Sequence, residues 1–234
     1  MKAIRLFYRG GWVLLLGLAL GTQAQQAAPA RNLLLKFTPQ YVVVSGYWLE
    51  LEQRWKQHPR QSVTITPQFY AGPTGNPNAS GSNPFDPVRP NSDEKVLGAG
   101  LQLQHRWYLT EPKATYPSGF YLSYGPSVQH FSVSHNGLGW VEVVGPTGLP
   151  YYEYHNSRHT ETITRYGGSV QTGYQVPLSS GRVFLDIYAG AGWRESRSRK
   201  ESKPTSSRYN AGTSDYGHQG FYFPAGFKIG VALR

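Results

Sequence analysis

Apolar and polar side chains alternate through the last segment of the chain. From Phe221 to Arg234 the sequence reads FYFPAGFKIGVALR. A β-strand sends successive side chains to opposite faces. Here one face holds only Phe, Ala, Ile, Val and Leu, whereas the other holds small or polar residues and Lys228. The pattern predicts a strand with one apolar and one polar face.

The same alternation recurs along the chain. In the segment 96–109, leucine and tryptophan share one face, while Gln102, Gln104 and Arg106 share the other. His105 is the one polar residue on the apolar side. Pro39 interrupts the first segment and predicts a bulge or bend there. Eight strands are predicted, at residues 32–44, 46–57, 62–71, 96–109, 119–133, 160–178, 182–195 and 219–234.

The connections between these strands alternate in length. The tight turn near Ser45-Gly46 is the exception to this pattern. The other connections are short at 58–61, 111–118 and 179–181, and are long loops at 72–95, 134–159 and 196–218. Short turns at one end and long loops at the other are typical of outer-membrane barrels. The sequence therefore predicts an all-β fold, an eight-stranded antiparallel transmembrane β-barrel with up-and-down meander topology and both termini in the periplasm.

Aromatic residues on the apolar face fall near the predicted strand ends. They form two groups, Trp55, Trp107, Phe120 and Tyr174 at one end, and Tyr47, Phe69, Tyr166, Trp193 and Phe221 at the other. Such girdles mark the two interfaces of a membrane. The alternative is a soluble sandwich or lipocalin-like barrel, in which the apolar face would point inward.

The front of the chain predicts export. Lys2, Arg5 and Arg9 precede an apolar run at 11–20, and Thr22-Gln23-Ala24 supplies a small-x-small cleavage pattern. The chain contains no cysteine and is rich in Gly and Tyr, which suits strands and tight turns. The predicted organisation is a signal peptide at 1–24, a short N-terminal segment at 25–31 and the barrel domain at 32–234.

The polar face of the predicted barrel carries many charges. An eight-stranded barrel is just wide enough for its side chains to fill the interior, and buried charges need partners. We therefore expect a filled interior with an ion-pair network and no open pore; the alternative is a narrow small-solute channel. The predicted network comprises Lys36, Glu50, Glu52, Arg54, Arg106, Arg165, Asp186, Arg194 and Lys228.

Two segments of the chain resemble a family. Asn32-Leu33-Leu34-Leu35-Lys36, followed by Leu49-Glu50-Leu51-Glu52-Gln53-Arg54, resembles the opening of small outer-membrane barrels of the Bacteroidota, a family with a domain of unknown function. The general architecture is similar to the OmpA transmembrane domain and to OmpX. The resemblance implies a barrel in the outer membrane of a Gram-negative bacterium, expected as a monomer.

The formal charge of +10 predicts an anionic partner. For an exported protein we expect outer-membrane lipids and lipopolysaccharide phosphates rather than nucleic acid. The candidate contacts form a basic surface loop with Arg197, Arg199, Lys200, Lys203 and Arg208. The expected function is non-enzymatic, a structural or surface-interaction role exerted through the extracellular loops, whose ligand the sequence does not name.

One group of residues suggests an enzyme as the alternative. His130 and Ser132 share the predicted lipid-facing side, and Glu142 follows, which together supply a base, a hydroxyl nucleophile and a carboxylate. The His-x-Ser pair on a small barrel is similar to the lipid A deacylase family. No cofactor or metal is predicted, because the spacing of His155 and His159 would need a helix.

Overall fold

The computed structural model describes residues 33–55, 57–58, 60–74, 94–109, 118–178, 182–200 and 215–233. The predicted signal peptide and N-terminal segment lie outside these residues. The strands are β1 (Leu33–Phe37), β2 (Gly46–Arg54), β3 (Gln61–Pro73), β4 (Lys95–Tyr108), β5 (Gly119–Val144), β6 (Pro150–Leu178), β7 (Val183–Lys200), β8 (Gly220–Tyr222) and β9 (Ala225–Leu233). Within the described ranges, no helix is both long and apolar enough to cross a membrane.

The strands form one closed antiparallel sheet. From β1 to β7 each strand pairs with its sequence neighbours, and β9 pairs with both β7 and β1. The segments β8 and β9 both pair with β7, so together they are the eighth barrel strand. The prediction of an eight-stranded up-and-down barrel is confirmed. We call the end near Leu33 and Leu233 the terminal end and the opposite end the loop end.

The first barrel strand is shorter than the 32–44 predicted. It ends at Phe37, and a 3-10 helix over Pro39–Val44 follows, with Pro39 in its first turn. Proline lacks a backbone N–H and cannot donate to the sheet, which explains why pairing stops there. Ser45 then takes a left-handed conformation with φ of 54°, which turns the chain tightly into β2.

The prediction of a loop at 134–159 is wrong. β5 and β6 continue past the barrel rim and pair without interruption up to Val144 and Pro150. Gly148, with φ of 78°, lies in the turn between them, and its N–H donates to Gly145 O at 2.9 Å. This segment is rich in valine and tyrosine, which favour strands, but both of its faces meet solvent, so it shows no clear alternation.

The last two strands also differ from their predicted bounds. β7 runs to Lys200 rather than ending at 195, so the predicted loop 196–218 starts later. The eighth barrel strand, predicted as continuous over 219–234, is interrupted at Phe223 and Pro224. Proline again explains the break, because it has no N–H to give to β7.

The barrel is apolar outside and polar inside. Its outer face exposes leucine, valine, isoleucine and aromatic side chains on β2 to β9 and half-buried apolar side chains on β1, whereas charged and amide side chains are buried in the lumen. Tyr47 and Trp55 stand at the two margins of this outer band, as do Tyr166 and Tyr174 on β6. The two residues of each pair are eight positions apart, or about 27 Å along the strand. Because strands in such barrels tilt by 35–45° from the barrel axis, this distance corresponds to roughly 20 Å along the axis.

Candidate functional site in the barrel lumen

Six charged side chains form one buried cluster in the half of the lumen nearer the terminal end. Three are cations and three are anions, so the cluster is formally neutral. Its members are Lys36, Arg106 and Lys228 with Glu50, Glu52 and Asp186, and each is at most 5% exposed.

Arg106 lies at the centre of this cluster. Its Nη1 is 2.8 Å from Glu52 Oε2 and 3.2 Å from Asp186 Oδ2, and its Nη2 is 3.1 Å from Glu50 Oε1. Lys36 Nζ contacts the same three carboxylates, at 2.6 Å for Glu52 and 2.8 Å for Asp186. Its distance to Glu50 Oε1 is 3.3 Å. Two cations thus share three acceptors, an arrangement that offsets the desolvation of buried charge.

Strand register brings these charges together. Lys36 on β1 pairs directly with Glu50 on β2, and Asp186 on β7 pairs with Lys228 on β9. Directly opposite residues on one face of a sheet lie within contact distance. Lys228 also forms an ion pair with Glu50 across the lumen. The register alone therefore places four of the six charges beside an opposite charge.

Neutral side chains from the remaining barrel strands complete the hydrogen bonding. Ser62 Oγ donates to Glu52 at 2.6 Å, Tyr121 Oη donates to Asp186 at 2.5 Å, and Lys36 Nζ donates to Gln175 Oε1 at 2.5 Å. These three partners lie on β3, β5 and β6. Each of the eight barrel strands thus contributes a side chain to one layer, which we call the ion-pair layer.

Three residues predicted for the network lie at other heights in the barrel. Arg165 donates through Nε to Gln129 Oε1 at 2.6 Å, nearer the loop end. The guanidinium of Arg194 lies 4.7 Å from the centroid of the Tyr222 ring. Arg54 is half-buried at the last position of β2, beyond Glu52 toward the terminal end. Their neighbours Tyr166, Trp193 and Trp55 were predicted at the strand ends, so the prediction of one network for all nine charges overlooked their separation in height.

A small polar cavity lies above the ion-pair layer. Its volume is about 30 Å³, and its lining includes Glu50, Lys228, Gln102 and Gln171. A cavity needs roughly 10–15 Å³ to hold one water molecule. This space therefore suits about two waters and is too small for a sugar or an amino acid.

An aromatic cluster closes the lumen at the loop end. Tyr216, from the segment that precedes β8, inserts its ring 4.9 Å from the centroid of Phe131 and 6.3 Å from that of Tyr70. Val133 and Ile163 belong to the same buried cluster. We call this group the aromatic plug. The plug lies nearer the loop end, whereas the ion-pair layer lies nearer the terminal end.

The hydroxyl of Tyr216 fixes the plug to the barrel rim. It donates to Val44 O at 3.1 Å and lies 3.3 Å from Thr74 O. Burial raises the pKa of Tyr216 to about 12, so the hydroxyl keeps its proton at neutral pH. Arg165 Nη1 also contacts the backbone carbonyls of Asp215 and Tyr216, at 3.3 and 3.4 Å. Tyr216 was not predicted as a functional residue, because the segment around it has no strand-like alternation.

The residues of the enzyme alternative lie on the outer face of β5. His130 Nδ1 forms a hydrogen bond with Thr164 Oγ1, at 3.0 Å, across the β5–β6 pair. Glu142 lies twelve residues farther along the same strand, about 40 Å away at the usual rise per residue. It accepts a hydrogen bond from Tyr152 Oη at 3.4 Å. The three groups of an acyl-transfer triad are thus not brought together.

The predicted basic loop is in part a strand. Arg197 and Arg199 are exposed on the outer face of β7, and Lys200 is its last residue. Lys203 and Arg208 lie outside the described residues. The guanidinium of Arg197 is 5.9 Å from the centroid of the Tyr166 ring, at the level of the aromatic residues near the loop end.

The fold and its site define a closed eight-stranded antiparallel barrel with charged and amide side chains buried in its lumen and an apolar band on its outer face. No family model matches the chain, and no curated protein sequence matches it. A solved structure that resembles it is that of CarO2 from Acinetobacter baumannii, with a TM-score of 0.31 and 13% identity. The alignment covers 86% of this chain and 96% of CarO2.

Proposed function

We propose that this protein spans the outer membrane of a Gram-negative bacterium as a non-enzymatic barrel with a structural or surface-interaction role. The observation that carries the proposal is the inverted distribution of its side chains. Leu97, Ile187 and Phe221 are 69%, 56% and 67% exposed on the outside, whereas Lys36, Arg106 and Glu52 are at most 1% exposed inside.

A water-soluble barrel would be unstable with this distribution. Exposed apolar surface costs roughly 25 cal/mol per Å² when it faces water, and the outer band runs around all eight barrel strands. Monomeric soluble proteins rarely expose contiguous apolar patches above a few hundred Å². A bilayer removes this cost, and a closed barrel leaves no unpaired sheet edge in the lipid. The aromatic residues at both margins fit the two interfaces.

The closed lumen favours a role outside transport. The ion-pair layer and the aromatic plug each cross the interior, and the cavity between them has room for about two waters. Partner contacts are therefore assigned to the loop end and the projecting β5–β6 hairpin. In this proposal the terminal end faces the periplasm, and the chain belongs with the small Bacteroidota barrels that its opening strands resemble.

Membrane fractionation with heat-modifiable gel mobility tests the proposal. The protein is expected in the outer-membrane fraction and should migrate faster unheated than boiled, because a closed barrel resists detergent unfolding. A protease added to intact cells should cleave the β5–β6 hairpin and spare a tag at the C-terminus. Recovery from the soluble periplasmic fraction, with no mobility shift, would contradict the proposal.

A further inference from the structure

The outer face of the barrel changes from apolar to basic near the loop end. Above Tyr166 and Trp193, the outward positions of β5 to β7 carry cations, hydroxyl groups and His130 rather than aliphatic side chains, whereas β4 adds Lys95 beyond the outward Ala99 and Leu97. The cations are Lys95, Arg158, Arg197 and Arg199, and the hydroxyl groups belong to Ser132, Ser134, Thr160, Thr162 and Thr164. We call this surface the basic terrace.

Strand register sets the layout of the basic terrace. His130, Thr164 and Arg197 form one row across β5, β6 and β7. In the next row toward the loop end, Ser132 and Thr162 stand beside Arg199 in the same way.

The far side of the terrace is built similarly. Lys95 on β4 pairs with Ser134 on β5, and Ser134 Oγ accepts a hydrogen bond from Arg158 Nη2 at 2.9 Å. Three strand spacings separate β4 from β7, so the terrace is about 14 Å wide.

Carboxylates are sparse on this surface. Among the described outward positions of β4 to β7 at this level, the one carboxylate is Glu195, which accepts a hydrogen bond from Tyr166 Oη at 2.8 Å. Glu161 belongs to the opposite, inward face of β6. Four cations thus face one carboxylate, and the terrace carries a net positive charge.

We propose that the basic terrace binds the phosphorylated disaccharide headgroup of lipid A, and this inference rests on the proposed outer-membrane location. Guanidinium groups bind phosphate through paired hydrogen bonds, and ammonium groups add charge. The row of hydroxyls between the cations can exchange hydrogen bonds with sugar hydroxyls.

The position and size of the basic terrace favour a lipid A headgroup over a phospholipid headgroup. The terrace begins where the aromatic margin of the apolar band ends, which is the depth of lipid headgroups. A glycerophospholipid carries one phosphate, whereas the cations here lie on three different strands, β4, β6 and β7. A headgroup with a phosphate at each end of a disaccharide can reach both edges of the terrace.

The test titrates the folded full-length mature barrel in dodecyl maltoside with diphosphoryl lipid A, monophosphoryl lipid A and phosphatidylglycerol, read by native mass spectrometry. Wild-type protein is expected to bind diphosphoryl lipid A most tightly, and less tightly as NaCl is added. The variant Arg197→Gln/Arg199→Gln should bind it about tenfold more weakly, a loss of about 1.4 kcal/mol. Lys95→Gln tests the other edge and should lower the preference for diphosphoryl over monophosphoryl lipid A.

The matched control removes two cations from the opposite end of the barrel. Arg60→Gln/Arg182→Gln has the same change in net charge and should bind like wild type. Affinity unchanged in Arg197→Gln/Arg199→Gln, or equal affinity for phosphatidylglycerol, would overturn the lipid A assignment while leaving the barrel in the outer membrane. Absence of wild-type protein from the outer-membrane fraction would instead overturn the proposed function. The basic terrace would then not be in contact with lipid A in the cell.

Discussion

Arg106 and Glu52 meet in the lumen with Nη1 and Oε2 2.8 Å apart, and both side chains are completely buried. They lie on β4 and β2, which are separated by β3. The same arginine contacts Glu50 and Asp186 and packs 4.0 Å from the centroid of the Tyr121 ring. One guanidinium therefore links side chains from several other barrel strands. Its removal should destabilise the whole ion-pair layer.

Arg106→Met should lower the free energy of unfolding by about 3–5 kcal/mol, because three buried carboxylates would share two cations. Urea unfolding in lipid vesicles measures this change. Arg182→Met alters the same charge in an exposed turn and should cost less than about 0.5 kcal/mol. Adding Glu52→Gln to Arg106→Met restores neutrality and should recover part of the loss. Equal free energies of unfolding for Arg106→Met and Arg182→Met would contradict a stabilising role of the ion-pair layer.

Tyr216 should contribute through both its ring and its hydroxyl. Tyr216→Phe keeps the ring in the aromatic plug but removes the donor to Val44 O, which should cost about 1 kcal/mol. Tyr216→Ala empties the plug and should cost about 3–5 kcal/mol. Hydrogen exchange at 215–218 should accelerate more in the alanine variant. Similar exchange in both variants would show that the ring does not hold this segment.

Gly173 makes room for Tyr121 in the lumen. A Cβ atom at this position would overlap Tyr121 Cζ and would lie 2.7 Å from Ile187 O. Gly173→Ala should displace the tyrosine, weaken its hydrogen bond to Asp186 and cost about 1–3 kcal/mol in unfolding free energy. Gly168→Ala on the same strand meets only a contact of 3.4 Å and serves as the control. A smaller loss for Gly173→Ala than for Gly168→Ala would count against this packing.

The closed lumen proposed above predicts the absence of porin-like conductance. Purified protein in a planar lipid bilayer should give no stable open level. Tyr216→Ala should also stay closed, because the ion-pair layer below the plug is unaffected. Steady ion current through wild type would refute the closed lumen, and current through the alanine variant alone would mean that the plug is the main barrier.

The separation of His130 from Glu142 predicts no acyl hydrolysis. Protein incubated with radiolabelled lipid A should release no more acyl chain than an empty vesicle control. Ser132→Ala should behave like wild type, since His130 bonds to Thr164 rather than to this serine. Release that Ser132→Ala abolishes would restore the enzyme alternative.

Side-chain alternation predicted the parts of the structure that lie within the apolar outer band. Lys36, Glu50 and Arg106 could be placed on the inward face because a strand has a period of two and the opposite face of their strands is mostly apolar. Register, and with it the contact of Lys228 with Glu50, follows once the strands are closed in order. The height of Arg165 and Arg194 could also be predicted, because their neighbours Tyr166 and Trp193 belong to the aromatic group at one strand end, but which charges make contact depends on distances that the pattern does not give.

Beyond the band, the sequence signal weakens for a physical reason. The β5–β6 hairpin has solvent on both faces, so neither face needs to be apolar. Similar residues such as Tyr151 and Tyr152 can therefore occupy consecutive positions, and the alternation is lost. Tyr216 lies in a turn with no periodicity, and its contacts with Tyr70 and Phe131 join residues far apart in sequence. Arg197 and Arg199 were expected in a loop because their segment is polar on both faces. Such a segment shows no alternation of apolar and polar residues, so the pattern did not predict a strand.

The ion-pair layer also constrains how the barrel can assemble. Glu50 and Lys228 are 178 positions apart, and Lys36 and Asp186 are separated by 150. A seven-stranded sheet that lacks only the final barrel strand would hold three carboxylates and two cations, an imbalance that the proposed lipid surroundings disfavour. Docking of the last strand on the first adds Lys228 and makes the layer neutral. In the proposed bilayer, the layer thus favours the closed barrel over a seven-stranded sheet.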